Sequence, residues 1–105
     1  VITSGVVLMP EPAGYRSTRW LTAITVDPDL AGVTREALRP HLLAHGIESR
    51  PLWKPRHLQP LNAGAPYHGS GVDERLFAHG LCLPSGSDMT AAQQAEVIGR
   101  LGELL

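Results

Sequence analysis

Three prolines, at 51, 55 and 60, interrupt the segment IESRPLWKPRHLQP at residues 47–60 and leave it little choice but a stiff loop. Each proline fixes its own φ and restricts the residue before it. Within the segment, Arg50, Lys54, Arg56 and His57 gather four basic groups in eight residues, with Trp53 among them and Glu48 as the one acid. A stiff loop loses little entropy when it holds a ligand. Guanidinium, ammonium and imidazole together suit a phosphate or carboxylate. The plain alternative is a rigid surface connection with solvated charges.

The basic character is local. The 105-residue chain has a net charge of −1, so it does not read as a nucleic-acid binder. Its length suits one small domain with a single core and a radius of gyration of about 13 Å. The apolar share of 43% is ordinary for a soluble fold. One cysteine, Cys82, excludes an internal disulfide and fits a reducing compartment. No apolar run approaches the roughly 18 residues of a membrane span. The chain opens on VITSGVVLMP, already strand-like and with no initiator Met, and reads either as cut from a longer protein or as carrying a tag remnant.

Periodicity and caps set the expected elements. Val6 to Met9 and Trp20 to Val26 read as strands, the first closed by Pro10 and Pro12. Asp27-Pro28-Asp29 reads as a turn. Thr34 is an N-cap for a helix to about His45, with Leu38 and Leu42 on one side, Leu43 beside them and Gly46 as its C′ residue. Pro40 opposes this helix at about 3 kcal/mol unless it starts later or kinks. Ile47 to Leu52 should be a strand, residues 61–71 a loop, and Val72 to His79 a helix ended by Gly80. Leu81 to Leu83 is a short buried segment before the turn Ser85-Gly86-Ser87. Thr90 and Gln93 form a capping box for a last helix with Val97, Ile98, Leu101, Leu104 and Leu105 on its apolar face. The order implies a two-layer α/β (α+β) domain over residues 1–105, with a small, mostly antiparallel sheet covered by helices.

No self-contained catalytic set emerges. His41 and His45, four apart, could face one metal, but no HExxH or CxxC pattern completes a site. The reading preferred is that His45 meets helix-end carbonyls and His41 is partly exposed. Cys82, between two leucines, reads as a buried small hydrophobe. Ser85 and Ser87 lack the G-x-S-x-G frame and read as turn residues. There is no P-loop and no GxGxxG.

Three stretches carry a resemblance over nearly the whole chain: RWLTAITVD at 19–27, TREALRPHLLAHGIESRPLWKPRHLQP at 34–60 and LFAHGLCLPSGSDMTAAQQAEVI at 76–98. Together they resemble the C-terminal end of the DegT/StrS family of pyridoxal-phosphate sugar aminotransferases, nearest the branch acting on UDP-linked 4-keto sugars. The resemblance implies the small C-terminal domain of a cytoplasmic fold type I aminotransferase, packed on a large cofactor-binding domain in a homodimer. It also implies pyridoxal phosphate as cofactor, with glutamate and a nucleotide-linked keto sugar as substrates. Neither nucleic acid nor membrane is implied as a partner.

The resemblance also implies a Schiff-base lysine on the large domain; Lys54, the only lysine here, does not match that position. The isolated chain is therefore expected to hold no cofactor and to have no catalytic residue of its own. By the same resemblance, Lys54, Arg56, His57 and Gln59 become candidate contacts to the sugar nucleotide, with His57 and Gln59 in the firmer HLQP match. Arg56 departs from the apolar residue that relatives often carry. Trp53 either stacks on a ring of the substrate or anchors the loop. Arg50 either meets an anion or pairs with Glu48. A stand-alone module that grips an anionic metabolite with the 50–60 loop is the competing function.

Overall fold

The computed structural model describes residues 3–105. The opening pair Val1-Ile2 lies outside the described residues. Four strands form one antiparallel sheet: β1 (Val6–Leu8), β2 (Thr22–Val26), β3 (Arg50–Pro51) and β4 (Gly80–Leu83), in the spatial order β1-β2-β4-β3. Ile24 stands opposite Leu81 and Ala23 opposite Cys82. Because side chains alternate along a strand, Ile24, Val26 and Leu81 share one face, while Ala23 and Cys82 share the other.

Helices α2 (Arg35–Ala44) and α4 (Ala91–Gly102) cover the first face. There Ile24, Val26, Leu38, Leu42, Ile47, Leu81 and Leu101 make the core, edged by Val6, Val97 and Leu105. Thr34 caps α2 through the Ala37 N–H, and Thr90 with Gln93 closes the reciprocal box at α4. Helix α3 (Val72–His79) lies toward the second face, where Leu52 and Leu76 border a space of about 100 Å³ with Val7, Met9 and Ala23. It runs directly into β4. Gly80 is needed at that corner, since a Cβ there would collide with the Leu76 carbonyl and the Leu52 side chain.

The expected two-layer arrangement is present, with several local differences. Strand β2 starts at Thr22 rather than Trp20: the Thr22 N–H donates to Ser85 Oγ at 2.6 Å, and Arg19 has a left-handed φ of 56°. Asp27-Pro28-Asp29 is not a simple turn but the start of a single helical turn, α1 (Pro28–Ala31), capped by Asp27 and begun by proline at its first position. The strand expected over Ile47 to Leu52 pairs only at Arg50 and Pro51, since Pro51 brings no N–H to the edge of the sheet.

Pro40 does not break α2. It lies on the exposed side, where water can satisfy the carbonyl that its missing N–H leaves open. Ile98 and Leu104, expected on the buried face of the last helix, are exposed, and so is Leu43. The radius of gyration is 15.2 Å, above that of a compact chain of this length, because residues 10–20 and 61–70 stand out from the core. No helix among the described residues is long and apolar enough to cross a membrane.

Candidate functional site

The proline loop does not gather its basic groups in one place. Arg50, on edge strand β3, turns back on Glu48, with Nη2 to Oε1 at 2.7 Å. Pro55 is buried and fixes the base of the loop. Beyond it the chain winds through two single 3-10 turns, Arg56–Leu58 and Pro60–Asn62. Side chains of the loop itself hold these turns: Gln59 Nε2 donates to the Lys54 carbonyl at 3.2 Å, and Asn62 Nδ2 to the Arg56 carbonyl at 2.8 Å. Lys54 and Arg56 are left exposed on either side of Pro55 and make no ion pair among the described residues.

His57 is engaged within the fold. Its Nε2 lies 2.7 Å from Glu74 Oε1 and its Nδ1 3.6 Å from Asp73 Oδ2, both acids belonging to the first turn of α3. The ring of Tyr67 lies against the imidazole, with centroids 3.9 Å apart. The Tyr67 hydroxyl donates to Asp73 Oδ1 at 2.6 Å and accepts from the Gly71 N–H at 3.1 Å. The Tyr67 hydrogen bond holds the Asp73 carboxyl below its ordinary value, and the same bond pushes the Tyr67 phenol up. The imidazole is thus oriented by two carboxylates and an aromatic face. It can meet a ligand only where that ligand displaces one of the carboxylates or approaches the ring edge.

Trp53 faces another way. It is 65% exposed, so the loop-anchor reading fails in its buried form, and its partner is the equally open Trp20, with centroids 5.8 Å apart. The two indoles stand at the rim of a cleft of about 810 Å³ between β3, the 82–89 segment and α4. Cys82, Ser85, Asp88, Gln93 and Glu96 line it too, as does Ser49, whose buried Oγ has no hydrogen-bond partner. Cys82 is buried, as expected, and desolvation pushes its thiol up, against nucleophilic use. Ser85 works as a turn residue, donating to the Leu83 carbonyl at 2.9 Å.

Of the five candidate contacts, then, only Trp53 borders the large cleft. His57 instead packs with Tyr67 and the start of α3, Gln59 bonds the Lys54 carbonyl, and Lys54 and Arg56 stay exposed. Tyr67, Asp73 and Glu74 were missing from the sequence-derived set, as was Trp20. Their one local signal is the acidic pair opening a helix, which reads equally as a dipole partner.

The described residues do not fit pyridoxal phosphate at the one lysine. The one lysine, Lys54, is exposed and lines neither cavity. The cofactor's phosphate and ring would have no enclosing walls there.

Comparison with known proteins places the chain. Residues 3–102 match the profile of the DegT/DnrJ/EryC1/StrS aminotransferase family. The chain is 45% identical over 98 residues to EpsN of Bacillus subtilis (strain 168). That match takes in 90% of this chain and 24% of EpsN. It is 31% identical over 90 residues to the GDP-perosamine synthase of Caulobacter vibrioides, covering 86% of this chain and 24% of that protein. Among solved structures, a DegT DnrJ EryC1 StrS aminotransferase from Brucella abortus superposes with a TM-score of 0.76 at 31% identity, over 94% of this chain and 26% of that one. DesV of S. venezuelae gives 0.79 at 28% identity, over the same shares. The chain spans about a quarter of the length of the relatives it matches.

Proposed function

This chain belongs to the DegT/DnrJ/EryC1/StrS aminotransferase family, and on that premise we propose that it is the small C-terminal domain of a pyridoxal-phosphate sugar aminotransferase. The observation that carries the reading is the family match across residues 3–102, in a chain a quarter as long as its relatives. The reaction is amino transfer from glutamate to a nucleotide-linked keto sugar, in a cytoplasmic homodimer that makes sugars for surface glycans. The cofactor supplies the electron sink. The residues of this chain do not fit it, so its lysine and walls belong to a large domain.

In that assembly the 53–60 loop forms one wall of the substrate side. Lys54 and Arg56, both exposed, offer two cations to the diphosphate. His57, set by Glu74 and Asp73, presents its ring to the sugar. Gln59 keeps the loop in shape through the Lys54 carbonyl. Trp53 offers an exposed ring for stacking.

The test is steady-state kinetics of the intact aminotransferase. Arg56→Ala and His57→Ala should each raise KM for the sugar nucleotide about tenfold, the loss of one charge-assisted hydrogen bond. Unchanged KM and kcat in both variants would remove this loop from the site. Purified by itself, the chain should gain no visible absorbance after incubation with pyridoxal phosphate and gel filtration. Stable uptake of the cofactor would refute the division of labour between domains.

A further inference from the structure

A second cluster lies at the C-terminal ends of α2 and α4, outside the proposed substrate contacts, although His45 also lines the cleft that Trp53 borders. His41 and His45 lie one helical turn apart at the end of α2, and Glu103 ends α4 beside them. One ring nitrogen of each histidine and one carboxylate oxygen of Glu103 lie within 4.8 Å of one another.

We propose that His41, His45 and Glu103 form a zinc site that ties the C-terminal ends of α2 and α4 together. Two imidazole nitrogens and one carboxylate oxygen are a zinc donor set, and a water would take the fourth tetrahedral position. Zinc–ligand bonds of about 2.0–2.1 Å put tetrahedral ligand atoms about 3.3 Å apart. The His41 Nε2 to Glu103 Oε2 separation is 3.1 Å, already that of two ligands on one ion. A ring nitrogen of His45 lies within 4.8 Å of both.

The surroundings orient the ligands as outer partners of a metal do. His45 Nδ1 lies 2.9 Å from the His41 carbonyl, so its N–H is used there and Nε2 keeps its lone pair. Arg100 Nη1 donates to Glu103 Oε1 at 2.7 Å and leaves Oε2 toward His41. One bond opposes binding: His41 Nε2 is 3.0 Å from the Arg100 carbonyl, and the metal must replace that contact. Zinc is favoured over magnesium and calcium, because two of the three donors are imidazole nitrogens and those harder cations take oxygen ligands.

Metal-stripped protein titrated with zinc chloride in a calorimeter tests the site. One zinc per chain should bind, and zinc should raise the melting temperature where magnesium does not. His45→Ala and Glu103→Gln should each weaken binding at least about tenfold and abolish the zinc-dependent rise. Glu103→Gln leaves the helix caps intact, so it reads the ligand role even where His45→Ala alters the end of α2. Absence of saturable binding overturns the proposal. So does binding that survives both substitutions, which would put zinc elsewhere and leave His41 and Glu103 in an ordinary polar contact.

Discussion

Arg35 is the side chain whose removal should reach furthest through this fold. It is buried, with 9% of its side chain exposed, at the point where α2 meets the α3–β4 corner. Its Nη1 donates to the Gly80 carbonyl at 3.1 Å, and its Nε to Glu36 Oε1 at 2.6 Å. Its guanidinium carbon stands 4.8 Å from the centre of the Phe77 ring. Arg35→Met keeps the unbranched stem and deletes all three contacts.

The hydrogen bond from a charged donor to a buried carbonyl contributes about 1.5–3 kcal/mol. That carbonyl is not orphaned by the change, because the Leu52 N–H still reaches it at 3.3 Å, so the lower end applies. The contact with Phe77 adds about 1 kcal/mol. The Glu36 pair adds little, since Glu36 is 62% exposed. Burial raises the Glu36 carboxyl, but the Arg35 hydrogen bond and charge outweigh it and hold the group below its ordinary value. Replacing a buried charge with an apolar stem returns part of the loss by removing its desolvation cost. The net loss should be about 2 kcal/mol, or a fall of about 10 °C in Tm for a chain of this size.

Urea unfolding followed by far-ultraviolet circular dichroism reads this directly as a lower midpoint with an unchanged m value. A second readout is the His57 ring proton signal in NMR. The α3 helix that Arg35 steadies carries Asp73 and Glu74, so the His57 environment should change too. A midpoint equal to that of the unaltered chain would refute the argument. It would mean that desolvation relief cancels every contact that Arg35 makes.

The Asp73 carboxyl, held below its ordinary 3.8 by the Tyr67 hydroxyl, should stabilise the fold above that pH and lose the contribution as pH falls through the lowered value. Melting temperatures of the unaltered chain and Asp73→Asn should therefore differ at neutral pH and converge in acid. A gap that persists in acid would show that Asp73 acts through something other than its charge. Thr90→Ala removes the hydroxyl that accepts from the Gln93 N–H at 3.2 Å and should cost about 1 kcal/mol. Because α4 supplies Leu101 to the core, the loss should appear in global unfolding rather than as local fraying. Faster amide exchange confined to residues 91–94, with the unfolding midpoint unchanged, would contradict that coupling.

Elements with short-range causes could be read from the chain before its fold was known. Thr34 and Thr90 mark helix starts because a cap bond spans three residues. Helix α3 is bounded as expected, since the acids of its first turn and the glycine at its end act within one turn. Apolar spacing likewise identified Leu38, Leu42 and Leu101 as core. The family, too, was visible, because the motifs that mark it are contiguous words.

What the chain could not show locally was which face each exposed residue would turn to. Ile98 fits the apolar spacing of α4, yet it is left uncovered. The four basic groups of the proline loop look like one site in sequence. In the fold they diverge, because Glu48 takes Arg50 while the start of α3 takes His57. The Trp20–Trp53 pair joins residues 33 positions apart. Arg35 meets the Gly80 carbonyl across 45 positions, and His41 meets Arg100 across 59. Caps, glycine turns and helical periodicity draw on forces that reach one turn along the chain, so residue order suffices to place them. Ion pairs and ring contacts reach a few ångströms through space, so their partners were settled only when the sheet and helices closed on one core.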